Sequence, residues 1–350
     1  MKRSEVEEER DMLKRSGYYR RIFESYIFKR KVNNLSFWHT DLKANKLSEE
    51  DRRGVELYPM NFAEKTKYNE HRDSDDVIML NYGGNIGVQY NPNAIAQVAL
   101  GFYDLYLDSL KSRNKGLQDL YSYSVLIQAK WFVNHGRKVK DNVLLWEYDF
   151  PFEMRNYLYP PWRSALAQGQ GISVCLRAYK LSKEEQYLNA AKRAFKSFRH
   201  LAREHPGGVL DDSEGYTWLE EYIVEPTNHV LNGSIWALWG VRDYAIFTDD
   251  NYAWELWHSC VKTLRENLGH YDLGFWTTYD LVKFNPGKQP TMPSSLYYQN
   301  LHVVQMQAMY HLTLDPVFKH FEKKWNSQLV NRTNRIVSQI WKTYFKLRWF

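Results

Sequence analysis

With two cysteines in 350 residues, Cys175 and Cys260, the chain lacks the material for a disulfide framework. Each lies inside an apolar helical pattern, so both are expected as buried core thiols in a reducing compartment. No segment approaches the roughly 18 continuous apolar residues of a membrane span. The opening Met1-Lys2-Arg3-Ser4-Glu5-Val6-Glu7-Glu8-Glu9-Arg10 has no apolar stretch of the kind a secretion signal needs. A cytoplasmic location is the expectation, and the sequons at Asn232 and Asn331 then read as chance matches. Gly83-Gly84 completes no phosphate-binding fingerprint and reads as a turn. Zinc-ligand spacing is missing too, and no clustered basic stripe accompanies the net charge of +6, which excludes nucleic acid as the expected partner. An acidic polymer of another kind suits that mild excess.

What is abundant is aromatic. Thirteen Trp, 26 Tyr and 17 Phe give 16% aromatic residues, which suits large packed helices and also faces on which sugar rings stack. Residues 1 to about 35 mix an acidic patch with Arg20-Arg21 and Lys29-Arg30-Lys31 among tyrosines and phenylalanines. That arm reads as a packed helix, with peripheral attachment to an anionic membrane or polysaccharide as the alternative. Val77-Ile78-Met79-Leu80 and Ile86-Gly87-Val88-Gln89-Tyr90 read as short strands.

After Asn91-Pro92-Asn93 the period turns helical. Helices are expected over Ala94 to Leu110, Leu117 to His135, Ser164 to Leu181, a stretch opened by a capping box at Ser182-Lys183-Glu184-Glu185, Val230 to Phe247, Asn251 to Leu268, Leu296 to Thr313, and one opening at Asp315-Pro316. Consecutive hairpins make the fold class mainly α, an (α/α) toroid over residues 91–350 behind an N-terminal extension, residues 1–90, with a few strands. From the pattern alone, a bundle or solenoid remains open.

One stretch is chemically conspicuous. In Glu220-Glu221-Tyr222 paired acids and a phenol precede a Pro turn and the apolar run from Val230, which places titratable groups at the mouth of a helix. Three segments, Trp162-Arg163-Ser164-Ala165-Leu166-Ala167-Gln168-Gly169-Gln170-Gly171, Glu220-Glu221-Tyr222 through Val230-Leu231-Asn232-Gly233, and Thr278-Tyr279-Asp280-Leu281 through Tyr298-Gln299-Asn300-Leu301-His302, together with Tyr90-Asn91-Pro92-Asn93, resemble the catalytic domain of D-glucuronyl C5-epimerases over about residues 75 to 315.

The resemblance implies the toroid, a homodimer and a reaction that inverts C5 of glucuronic acid within an anionic polysaccharide to give iduronic acid, with no cofactor and no metal. It implies Glu221 and Tyr298 as the proton-transfer pair, with Tyr222 and Tyr279 in support. Trp162, Arg163, Gln168, Asn232 and His302 are its candidates for substrate binding. Two groups are needed because the C5 proton leaves one face of the ring and another returns to the opposite face. Basic residues are expected after Tyr279-Asp280-Leu281, where this chain has Val282 before Lys283. The run Asp211-Asp212-Ser213-Glu214 reads as a polar loop rather than a cation site. The alternatives are a uronate lyase or glycosidase on the same frame, or a catalytically silent polysaccharide-binding protein.

Overall fold

A computed structural model describes residues 35–153, 157–281 and 291–349. The charged N-terminal arm through residue 34 and the Val282-Lys283 pair lie outside the described residues. Helices dominate, with boundaries within a few residues of the sequence expectation. They form four hairpins: α1 (Pro92–Lys111) with α2 (Lys115–Asn134), α3 (Ala165–Ser182) with α4 (Glu185–Phe195), α5 (Leu231–Thr248) with α6 (Asn251–Asn267), and α7 (Leu296–Thr313) with α8 (Pro316–Val330).

Local chemistry explains the ends. The side chains of Asn91, Asn114, Ser164, Asp250, Ser295 and Asp315 each accept a hydrogen bond from a first-turn N–H, and Pro92 and Pro316 sit where a helix does not miss their N–H. Lys183, Asp249 and Leu314 close α3, α5 and α7 in the left-handed region, at φ 61°, 54° and 56°, and turn the chain back at once. The expected capping box at Ser182 does not form. Helix α3 runs through Ser182, whose hydroxyl donates to the Ala178 carbonyl and accepts from the Glu184 N–H, so Glu184 opens α4 without a side-chain cap.

The first helices of the hairpins pack successively, α3 between α1 and α5, and α5 against α7. Their sequences show why they lie inside. Helix α5 is buried at every residue from Leu231 to Ala245, whereas its partner α6 buries a stripe, Ala253, Leu256, Trp257, Cys260 and Leu264, at helical spacing. The α3–α5 contact is close because Gly169 and Gly240 meet there: a Cβ on Gly240 would lie 2.1 Å from the Gly169 carbonyl oxygen. Arg177 and Asp243, both fully buried, pair across the same contact at 2.6 Å. Strands β1 (Lys43–Ala44) and β2 (Met60–Asn61) form a ribbon whose contacts reach both α7 and α1, bridging the last and first hairpins. One hydrophobic core extends from Phe37 to Trp325 and takes in both free cysteines.

The remaining strands are two or three residues long and antiparallel. They are β3 (Leu80–Asn81) with β4 (Val88–Gln89), β5 (Arg137–Val139) with β6 (Val143–Leu145), β7 (Phe152–Glu153) with β8 (Tyr157–Leu158), and β9 (Leu210–Asp211) with β10 (Trp218–Leu219). Helix α9 (Arg332–Trp349) follows α8 and packs on it. It buries Ser338, Lys342 and Phe345 at a spacing of one helix face and exposes Ile336, Ile340 and Tyr344 on the other. Among the described residues no helix is long and apolar enough to cross a membrane.

Candidate active site

The links between hairpins meet around a small cluster of buried side chains, Leu158, Tyr222, Val230, Tyr279, Met292 and Phe345, bordered by Phe152, Trp162, Val224, Tyr298 and Trp341. Backbone hydrogen bonds hold the incoming segments in place. The Glu220 N–H donates to Val209 and its carbonyl accepts from Ala165 at the start of α3, while Tyr279 bonds to Met292 and Leu281 to Asn228. This brings Glu221, Tyr222, Tyr279 and Tyr298 together from three separate stretches of chain.

Glu221 rests against the first turn of α5, as the sequence expectation had it. Its carboxyl occupies the space that a side chain at Gly233 would fill. Helix α5 has no side-chain cap of its own. Glu221 is buried and one of its oxygens has no hydrogen-bond partner. Burial is the main cause that pushes its pKa up to about 8; the Tyr222 phenol acts against the rise and the charge of Glu220 adds to it. Tyr222 interacts with Glu221 on one side and with Tyr279 on the other, so a carboxyl and two phenols form one electrostatically coupled group. Burial holds both phenols well above their ordinary pKa, and Tyr298 interacts electrostatically with each.

Tyr298 lies in the first turn of α7, where its N–H donates to the capping Ser295. Its ring meets that of Tyr279 edge to face at 4.8 Å. On the other side, Trp162 stacks on Tyr148 at 3.8 Å with nearly parallel planes, donates its indole N–H to the Phe150 carbonyl, and borders Tyr222 at 6.0 Å. Beyond Trp162 a pocket of about 450 Å³ opens, lined by Tyr157, Tyr159, Arg163 and Glu225 among others. Arg163 reaches it with part of its guanidinium already bound to the carbonyls of Gly208 and Ala202.

The other predicted binding residues lie deeper. Gln168 is fully buried and its amide is committed within the protein, accepting from the Trp146 N–H and donating to the Leu144 carbonyl, both at 2.8 Å. His302 is also fully buried, bonded through Nδ1 to the Thr277 hydroxyl at 2.9 Å, and burial lowers its pKa to about 3, so it is neutral. Asn232 is buried beside Gly233 at the start of α5; its carbonyl accepts from Gln305, and its side-chain oxygen has no partner.

Sequence reasoning missed Lys342. It is 4% exposed on the inner face of α9, with its Nζ 5.9 Å from the centroid of the Tyr279 ring. Trp341-Lys342-Thr343-Tyr344-Phe345-Lys346 alternates cations and aromatics, and nothing in that pattern tells which cation faces inward. Glu220 departs from the pair as well: it bonds to His229 Nδ1 at 2.5 Å.

A helical frame with a carboxyl and phenols gathered where its links meet has the makings of an acid–base enzyme. Residues 140–327, more than half of the chain, match the family described as D-glucuronyl C5-epimerase C-terminus, and the chain belongs to that family. The D-glucuronyl C5-epimerase of Caenorhabditis elegans is 29% identical over 268 residues, which cover 73% of this chain and 41% of the nematode protein. An uncharacterized protein of Methanocaldococcus jannaschii is 28% identical over 254 residues, 69% of this chain and 79% of the archaeal one. Lys342 and α9 lie beyond the stretch matched by the family.

Proposed function

We propose that the protein inverts C5 of D-glucuronic acid residues within an anionic polysaccharide, giving L-iduronic acid, and that its hairpins form an (α/α) toroid whose inner helices present the site. The observation that carries this reading is the convergence of Glu221, Tyr222, Tyr279 and Tyr298 on one buried cluster.

The chemistry has two demands. A proton must be taken from C5, next to a carboxylate that makes the remaining proton only weakly acidic, and one must be returned from the opposite face. Glu221 is tuned toward neutrality, where a group serves as base and acid with comparable ease. We assign it one face of the sugar ring and Tyr298 the other; a phenol, ordinarily near pKa 10, holds its proton until the ring needs it. The coupled Tyr222 and Tyr279 phenols beside the Glu221 carboxyl are assigned to steadying it. As C5 loses its proton, negative charge builds on the uronate carboxylate. Lys342 is a buried cation beside Tyr279, and we assign it to that charge. Trp162 and the pocket beyond it take the neighbouring sugar, while Gln168 and His302 support the site from beneath.

Incubating the protein with heparosan, unsulfated or N-sulfated, in deuterated water and following proton NMR tests the reading. Deuterium at C5 together with iduronate signals is the expected outcome. An unsaturated product absorbing in the ultraviolet would instead make the protein a lyase, and new reducing ends would make it a hydrolase. No exchange on any uronate polymer would leave a binding role.

A further inference from the structure

Helix α9 has two faces of opposite character. Ser338, Lys342 and Phe345 turn inward, while Ile336, Val337, Ile340, Tyr344 and Leu347 are exposed, Ile340 at 65% and Tyr344 at 61%. At 3.6 residues per turn these five side chains fall within an arc of about 100°, centred roughly opposite the buried three, so the stripe points straight away from the protein. Exposed apolar residues scattered singly are ordinary, but five gathered on one face mark a surface that something covers. The charge of α9 is equally one-sided. The helix carries Arg332, Arg335, Lys342, Lys346 and Arg348 and has no Asp or Glu. Arg332 and Arg335 are exposed, and Arg332 stands one turn ahead of Ile336, at the edge of the apolar stripe.

We infer that α9 seats the protein on an anionic lipid surface, with the apolar stripe entering the boundary between headgroups and acyl chains and the arginines meeting lipid phosphates. The helix is too polar to span a bilayer, and it has what a helix lying in the interface needs: an apolar face, cations beside it and an aromatic hydroxyl, Tyr344, that suits the headgroup level. Charge selects this partner over the alternatives. A second copy docking through the same face would form a two-fold contact and bring the cations of two α9 helices together, with no acid on either helix to offset them. An anionic polysaccharide would satisfy the arginines but offers no apolar interior for Ile336, Ile340 and Leu347. An anionic bilayer supplies both. The inner face of α9 turns Lys342 toward Tyr279, so a protein seated in this way holds its buried cluster about one helix diameter from the lipid. The inference does not depend on the substrate or on the epimerase reaction.

The test is flotation of the full chain with vesicles of phosphatidylcholine alone or of phosphatidylcholine mixed with phosphatidylglycerol, at low and at high salt. The protein is expected to float with the mixed vesicles, and to do so much less with the neutral ones or when salt screens the headgroups. Arg332→Gln combined with Arg335→Gln should weaken binding to the mixed vesicles by roughly 30-fold, since each cation near such a surface contributes about 5-fold. Ile336→Ser combined with Ile340→Ser should weaken it by at least about 10-fold through lost apolar burial, with the melting temperature unchanged because both side chains are exposed. Leu120→Ser, at an exposed apolar position on α2, is the control and should float as the wild type does. The proposal is overturned if the wild-type protein ignores anionic vesicles, or if the Ile336 and Ile340 double variant floats as well as the wild type, which would put the lipid contact elsewhere on the chain. It is equally overturned if the protein stays off the vesicles and light scattering shows a dimer that the same double variant splits, since the stripe would then belong to a second copy.

Discussion

The Glu221 carboxyl occupies the space that a side chain at Gly233 would fill: a Cβ built there would lie 2.1 Å from Glu221 Oε2 and 2.6 Å from Glu221 Cβ. The second contact shows that the displacement could not be absorbed at the tip of the side chain alone. Gly233→Ala is therefore expected to move the carboxyl while leaving α5 helical. Since a displacement of about 1 Å in a catalytic group can cost on the order of 100-fold in rate, turnover should fall by about that factor. Kinetics on heparosan beside circular dichroism checks it; wild-type turnover would mean that Glu221 is not the reacting group.

Glu221→Gln and Tyr298→Phe each remove a proton-transfer group at nearly constant shape. Each should cost roughly 10²- to 10⁴-fold in turnover with the fold retained. Glu221 acts as a base only when ionised, so wild-type activity should rise with pH toward its pKa of about 8. Stability runs the opposite way. The folded-state pKa lies above the ordinary carboxyl value of 4.5, so the folded protein binds the proton more tightly, and stability contributed by this group is lost as pH rises from about 4.5 to about 8. Glu221→Gln should accordingly melt higher than wild type at pH 8 and lose that advantage near pH 5. Melting curves at the two values decide it.

Much of this was legible because its causes are local. Asp315-Pro316 announces a helix start, and Ser164, the N-cap of α3, places Trp162 and Arg163 just ahead of that helix. The motif around Glu221 led to a buried carboxyl at the start of α5 because its neighbours Tyr222 and Gly233 are close in sequence as well as in space. The Ser182 capping box misled because a left-handed Lys183 diverted the serine hydroxyl to its own helix. Gln168 and His302 looked like sugar ligands, but what a buried amide or imidazole bonds to is decided by distant partners, here the backbone around Trp146 and the Thr277 hydroxyl. Lys342 was out of reach for the same reason, since only tertiary packing decides which face of α9 turns inward.

Lys342 carries the next prediction. If it meets the carboxylate charge that grows as C5 is deprotonated, Lys342→Met should lower kcat by about 10²-fold, the cost of removing one donor aimed at a developing charge. Lys342→Arg, which keeps the charge, should recover part of the loss. A lysine that merely anchors α9 would show a lowered melting temperature in both variants, with kcat unchanged in the fraction that remains folded. Comparing kcat, KM and melting temperature across the pair separates the two roles.

His302 gives the last test, on the acid side. Burial holds its folded-state pKa near 3, below the 6.5 of an ordinary imidazole. The unfolded chain therefore takes up this proton first as pH falls, and stability is lost progressively from about 6.5 down to about 3. His302→Asn keeps a polar amide near the position of Nδ1 beside the Thr277 hydroxyl, which already donates to Gln299, but removes the titration. It should melt lower than wild type at pH 8, where the lost ring leaves a cavity, and that gap should narrow toward pH 4 as protonation begins to cost the wild type alone. A gap that stayed constant across the range would show that His302 is not held neutral. The Thr277 network beneath Tyr279 would then be built on a charged ring.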